Sequence, residues 1–324
     1  MIKSIHFKNF KALRDAVLPL GRFTLIVGPN GSGKSTALRA LLALRAPQEV
    51  SFAQFVTAGK TQPPTIELVV EWGEEHQGAR TTVCWHHDGR REGPRHDRHR
   101  NTINALLQRI RFFALNATAI AEPSHLHPHA ELQANGSLLA VVLDRLRDEA
   151  PERFEALNKT LGKWLPEFDA VLFDTPETGK RAFALRTRSG RHTIPASSVS
   201  DGTRLALAML TLAYLPDPPS IVCLEEPDHG IHPRLLRDVR DTLYRLSYPE
   251  QFGEDRKPVC VVATTHSPYL LDLLRDHPEE VVIAQKVGLE ATFERLSDRP
   301  DIEDILSDSH LGDVWYSGIL GGVP

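Results

Sequence analysis

Residues 28–36 read Gly-Pro-Asn-Gly-Ser-Gly-Lys-Ser-Thr and follow directly on the apolar run Phe23-Thr24-Leu25-Ile26-Val27. The spacing is that of a P-loop, GxxxxGK[ST], in the strand-to-loop setting such a loop needs. Glycines at 28, 31 and 33 let the backbone approach a ligand and take positive φ. The loop runs from Pro29, Asn30, Gly31, Ser32 and Gly33 into Lys34, Ser35 and Thr36. Its amides would converge on phosphate oxygens, and the helix beginning near Lys34 would add the positive end of its dipole. Lys34 would reach the β- and γ-phosphates, and the Ser35 hydroxyl would ligate Mg²⁺. The motif predicts a nucleotide-binding α/β fold.

Three later segments narrow the type of P-loop protein. Val199-Ser200-Asp201-Gly202-Thr203-Arg204 precedes a helical run over 205–210. An apolar strand pattern over 221–224 runs straight into Glu225-Glu226-Pro227. A second, over 259–263, ends in Thr264-Thr265-His266-Ser267. In this order, behind the opening Ile2-Lys3-Ser4-Ile5-His6-Phe7-Lys8-Asn9-Phe10-Lys11, the chain resembles the ABC-type ATPase heads of the SMC/RecF/OLD branch, where OLD stands for overcoming-lysogenization-defect. Glu226-Pro227-Asp228-His229-Gly230-Ile231-His232-Pro233 and Thr264-Thr265-His266-Ser267-Pro268-Tyr269 are most similar to OLD-like prokaryotic members. The resemblance is strong over 1–45 and 195–275 and thin over 46–190.

The resemblance implies ATP and Mg²⁺ as ligands and roles for each segment. Ser200, Asp201 and Gly202 would be the signature loop, facing the γ-phosphate held by a second protomer, so that ATP is sandwiched in a homodimer. Taken alone, the same three residues read as an ordinary helix cap. Strand C-termini of a parallel sheet are where ligands bind. Glu225 would therefore sit behind Mg²⁺, usually through water, and Glu226 would activate the attacking water. Most relatives carry Asp at the first of these positions, and Glu225 reads as a variant found among OLD-like members. His266 would be the switch histidine on the γ-phosphate. Residues 228–233 would be the loop crossing the dimer interface. The family's Q-loop glutamine has no evident counterpart; Asn116 and Gln133 are the candidates, and Lys11 and Phe10 those for adenine contact.

Composition fits a soluble cytoplasmic protein. No apolar run reaches the roughly 20 residues of a membrane span, and Lys3, His6, Lys8 and Lys11 break up the N-terminus against a signal peptide. The three cysteines, Cys84, Cys223 and Cys260, are read as reduced, two of them on buried strands. A net charge of −4 gives no global signature for nucleic acid. Residues 86–100 are rich in Arg and His and admit phosphate contact with DNA or RNA. Gly89, Gly93 and Pro94 favour a solvated hairpin tip or loop there, without regular structure.

The expected architecture is one ABC-type ATPase domain over 1–324, with a mixed central sheet, an antiparallel β-subdomain and a short helical insertion. The P-loop and β-subdomain occupy 1–130, with strands at 3–8, 23–27, 65–72 and 79–85 and a helix at 103–109. A helical insertion occupies 131–168, with a helix pair over 137–165 and Pro151 opening its second member. The signature, acidic-strand and switch-histidine lobe spans 169–290, with a hairpin at 169–174 and 182–187. A tail covers 291–324, where Trp315 and Tyr316 read as anchors for a partner protein. OLD-like nucleases carry a Toprim domain after the ATPase. The residues after His266 lack an acidic constellation of that size, so a nuclease-like or Toprim-like partner is expected on a separate chain. The competing readings are a transporter's nucleotide-binding subunit, disfavoured by the Asn9-Phe10-Lys11 opening and the Val199-Ser200-Asp201-Gly202-Thr203 signature, and a scaffold that binds ATP without turnover.

Overall fold

The computed structural model of the chain describes residues 1–57, 65–308 and 310–320. They form two units. The first comprises Met1–Phe112, Pro219–Glu226 and Ser247–Pro324; the second comprises Phe113–Pro218 and Pro227–Leu246.

The first unit is built on a six-stranded sheet in the order Glu290–Arg295, Val281–Val287, Phe23–Val27, Cys260–Thr265, Ile221–Glu225, Ile110–Phe113. Phe23–Val27 pairs in parallel with both Val281–Val287 and Cys260–Thr265, and Cys260–Thr265 pairs in parallel with Ile221–Glu225. All residues of Phe23–Val27 and Cys260–Thr265 are buried. That is why these strands read as continuous apolar runs without alternation: a parallel strand covered on both faces has no polar side to show. Their parallel direction brings Val27, Glu225 and Thr265 to the same end of the sheet.

A five-stranded antiparallel sheet makes up the expected β-subdomain, in the order Leu13–Pro19, Ile2–Phe10, Thr65–Trp72, Arg80–His86, Arg91–His96. Thr65–Trp72 alternates, with Ile66, Leu68, Val70 and Trp72 buried, as a strand with one wet face must. These side chains share one core with Phe7, Trp85 and the buried face of the P-loop helix Lys34–Arg45, including Leu38 and Leu41.

One expectation fails here. The basic stretch does not lose regular structure at Gly93 and Pro94, because Arg91–His96 is the edge strand of this sheet. The register shifts between its pairings with Thr82 and Cys84. A bulge on an edge strand tolerates a proline that has no N–H to give. The hairpin tip itself is where the sequence put it, with Gly89 at φ 85° and its amide on the His86 carbonyl. Much of the basic charge is spent internally, Arg90 on Asp88 and Arg95 on Glu92. His96 is tied into a chain of hydrogen bonds: Trp72 Nε1 donates to Thr81 Oγ1 at 2.8 Å, Thr81 Oγ1 lies 2.7 Å from His96 Nδ1, and His96 Nε2 lies 2.8 Å from Asn104 Oδ1.

The second unit holds the expected helix pair, Leu139–Glu149 and Pro151–Trp164, with Leu143, Leu146, Leu157 and Leu161 buried. It also holds the hairpin Phe168–Asp174 and Lys180–Thr187, extended by Thr193–Pro195, and the helix Asp201–Tyr214. The chain turns into the first helix through Leu138, at φ 68°, just after Gly136 at φ 84°.

The C-terminal segment corrects a second expectation. Leu311–Tyr316 is a helix whose Trp315 is buried at 7% exposure, whereas Tyr316 is 70% exposed. Gly312 sits against Pro268, and its amide donates to Asp272 Oδ1 at 2.7 Å. Trp315 is therefore core and not a surface anchor; residues 321–324 of that segment lie outside the described residues. Among the described residues, no helix is long and apolar enough to cross a membrane.

The fold makes Trp72 a test of the β-subdomain. Trp72→Phe removes a fully buried indole and its N–H donor to Thr81. Urea denaturation should show a loss of about 1–3 kcal/mol.

Candidate active site

The P-loop connects the buried strand Phe23–Val27 to the helix Lys34–Arg45. Gly31 and Gly33 adopt φ of 76° and 97°, as a loop of this kind requires. Gly28 is needed for a different reason from the one expected. It is not among the positive-φ residues. A Cβ there would fall on the Ala284 carbonyl oxygen and 2.6 Å from Ser32 Oγ. Ser32 is fully buried and its hydroxyl has no hydrogen-bond partner among the described residues. Asn30 and Gly31 at the crest are exposed, while Pro29, Ser35 and Thr36 are half-buried. The helix begins with no side-chain cap. Its first-turn amides, which have no intrahelical acceptor, are left for a ligand.

Lys34 Nζ folds back to donate to the carbonyls of Gly28 at 2.7 Å and Pro29 at 2.9 Å. The side chain is 6% exposed. Burial lowers its pKa to about 8, against the opposing pull of Glu226 and Glu225, which raise it. Both carboxylates thus act electrostatically on the P-loop lysine. An ammonium held on neutral carbonyls beside two acids is poised to exchange those carbonyls for phosphate oxygens.

Glu225 ends its strand opposite Thr264 of the neighbouring strand. Glu226 follows with φ 47°, a left-handed backbone that costs a non-glycine residue about 1–3 kcal/mol. Its amide donates to the Thr264 carbonyl at 3.1 Å and to Thr264 Oγ1 at 3.3 Å. His266 leaves the end of Cys260–Thr265, and its Nε2 lies 3.7 Å from Glu226 Oε1. Both side chains are partly exposed, at 39% for Glu226 and 35% for His266. The next residue, Ser267, donates its amide to Thr265 Oγ1 at 2.9 Å and caps the helix Pro268–Asp272.

The residues fit Mg²⁺ by chemistry. Ser35 and Glu225 offer oxygen donors only, and among the described residues no cluster of three or more His, Cys, Asp or Glu could hold a metal by itself. A two-donor protein set suits Mg²⁺, which keeps waters and takes phosphate oxygens for its remaining positions.

Ser200, Asp201 and Gly202 belong to the second unit. Ser200 is the N-cap of Asp201–Tyr214; its Oγ accepts from the Thr203 amide at 3.3 Å and lies 2.9 Å from Thr203 Oγ1. Ser200 and Asp201 are exposed. Gly202 is packed so that a Cβ would lie 2.9 Å from the Gly230 carbonyl. This contact joins two segments the sequence could only treat separately.

Among the other candidates, Asn116 spends its side chain on capping Ala117–Ala121, and Gln133 Nε2 donates to the Glu131 carbonyl. The two lie close in the fold, since the Ala114 and Asn116 amides donate to Ala134 and Asn135. Phe10 is fully buried and stacked on Phe55 at 4.6 Å, so it has no face to offer a base. Lys11 Nζ stands 5.1 Å from the centre of the Phe55 ring.

A family profile described as "AAA domain, putative AbiEii toxin, Type IV TA system" matches residues 23–272, most of the chain, from the strand before the P-loop to the helix after His266. The chain belongs to this AAA-domain family. An OLD nuclease from Thermus scotoductus is 58% identical over 41 residues, 13% of this chain and only 8% of that protein's length. Three solved SMC heads share the fold. One, bound to the C-terminal winged-helix domain of ScpA, has a TM-score of 0.68 at 16% identity, covering 93% of this chain and 99% of that one. The Pyrococcus furiosus head, bound to the C-terminal domain of ScpA, gives 0.64 at 14% identity, covering 90% and 95%. The Thermotoga maritima head gives 0.55 at 14% identity, covering 91% and 98%. The fold is that of an ABC-type P-loop ATPase head, as the sequence resemblance implied.

Two features of this AAA-domain chain escaped sequence reasoning: the left-handed Glu226 and the hydrogen bonds that Thr264 and Thr265 make to the turns beside them. The only signal was two hydroxyl residues ending an otherwise apolar strand.

The lysine gives a pH test with a defined sign. Phosphate binding requires the ammonium, whose pKa in the nucleotide-free protein is about 8. Affinity for ATP should be flat below that pH and weaken by up to about tenfold per pH unit above it. Calorimetric titrations across pH 8 check this, and Lys34→Ala should bind more weakly and lose the break.

Proposed function

We propose that this chain binds ATP with Mg²⁺, dimerises around it and hydrolyses it. The observation that carries the reading is the Glu226–His266 pair, 3.7 Å apart, on neighbouring strand ends of the sheet that also delivers the P-loop. In this reading Lys34 and the amides from Gly31 to Thr36 hold the phosphates. Ser35 and Glu225 hold Mg²⁺, which neutralises phosphate charge when bound. Glu226 accepts a proton from the attacking water, and His266 hydrogen-bonds the γ-phosphate as charge develops there. The exposed Ser200 and Asp201, with the backbone of Gly202, present polar groups at a helix N-terminus to the γ-phosphate on a second protomer.

The two units would then work as one ATPase head. The setting we infer is DNA maintenance or anti-phage defence in the cytoplasm, with a nuclease-like or Toprim-like protein on a separate chain and DNA as a possible ligand. The local identity to an OLD nuclease and the family description support that setting, and the SMC heads bound to domains of ScpA support a head that docks a partner protein.

Glu226→Gln tests the reading. Steady-state turnover should fall by roughly 10²–10⁴-fold while ATP binding persists. Light scattering after size exclusion should show this variant as a dimer with ATP and a monomer without it. A wild-type protein with no turnover, alone or with DNA, would contradict the hydrolytic role.

A further inference from the structure

Glu226 and His266 leave the sheet on different strands, yet both are set by one dipeptide. Thr264 and Thr265 end the strand Cys260–Thr265 and are 1% and 0% exposed. A hydroxyl at that depth needs a partner, and a strand end gives it a choice of turns to hold. Successive side chains of a strand point to opposite faces, so two adjacent threonines can serve two different turns.

The hydrogen bonds follow that division. On one side, Thr264 accepts the Glu226 amide twice, through its carbonyl at 3.1 Å and its Oγ1 at 3.3 Å. Glu226 sits at φ 47°, a conformation that glutamate does not keep unless its surroundings hold it. On the other side, Thr265 Oγ1 accepts the Ser267 amide at 2.9 Å. That bond closes the turn carrying His266, and Ser267 then caps the helix Pro268–Asp272. Parallel pairing fixes the common base: Thr264 lies opposite both Glu225 and Ile26, and Thr265 opposite Val27, the last residue before the P-loop.

We infer that Thr264 and Thr265 are positioning residues that form a two-sided clamp. Thr264 holds the strained backbone of Glu226 and Thr265 holds the turn of His266, so that carboxylate and imidazole face one γ-phosphate position. The inference rests on the hydrolytic reading above and adds to it the groups that place its two chemical residues. Both threonines are buried, and each acts through the residue it holds. Removing the Thr264 hydroxyl leaves the Glu226 amide with a single acceptor and lets the backbone relax out of the left-handed region.

The test compares Thr264→Val, which keeps the side-chain shape, with Thr264→Ser, which keeps the hydroxyl. Thr264→Val should lower kcat by roughly 10- to 100-fold, with KM for ATP within about twofold, and Thr264→Ser should restore most of the rate. A crystal structure of nucleotide-free Thr264→Val should show Glu226 at negative φ and its carboxylate farther from His266. Should Thr264→Val fail to fold, Thr264→Cys makes the same comparison with a poor acceptor. Wild-type kcat in both the Val and Cys variants, or an unmoved Glu226 in the crystal, would overturn the clamp and leave the hydrolytic reading intact. A wild-type protein without turnover would overturn both.

Discussion

The ladder of parallel strands Ile221–Glu225, Cys260–Thr265 and Phe23–Val27 is the constraint from which the rest follows. Its hydrogen bonds bring three distant parts of the sequence to one sheet end in fixed register. Because the two inner strands are buried throughout, slipping the register would expose apolar side chains and bury the charged ends. The apolar run and the polar terminus of each strand therefore act together: the first fixes the strand in the core, the second is delivered to the rim.

At that rim burial and charge oppose each other, and burial prevails. Lys34 is desolvated, which disfavours its ammonium, and the two glutamates favour it. A loop that holds its lysine on backbone carbonyls is preorganised but not closed. Phosphate oxygens can replace the Gly28 and Pro29 carbonyls with stronger, charge-assisted bonds. The tight fit of Gly28 against Ala284, and of Gly202 against the Gly230 carbonyl, shows where backbone must approach backbone for each loop to keep its shape.

Much of this was legible in the sequence, for identifiable reasons. The P-loop has fixed spacing, the central strands are uninterrupted apolar runs, and the helix pair over 139–164 shows its 3.6-residue period. What could not be read depends on contacts between segments far apart in the chain. Arg91–His96 forms a strand despite Gly93 and Pro94 because an edge position and a bulge forgive both. Trp315 is buried because Gly312 lets its helix close on Pro268. Phe10 is spent on Phe55. The left-handed Glu226 has no local signature, since glutamate is a poor residue for that conformation and its amide is held by Thr264, 38 positions on. The most informative misreadings thus concern residues whose conformation or burial is set from elsewhere.

In the proposed ATP dimer, one γ-phosphate position is shared by groups from the two strand ends and from a second protomer. A crystal structure of Glu226→Gln with Mg²⁺ and ATP tests it most directly. The expected result is a two-fold dimer in which each γ-phosphate meets Lys34 and His266 of one protomer and Ser200 of the other. ATP held by the P-loop of a lone protomer, with His266 turned away from the γ-phosphate, would contradict it.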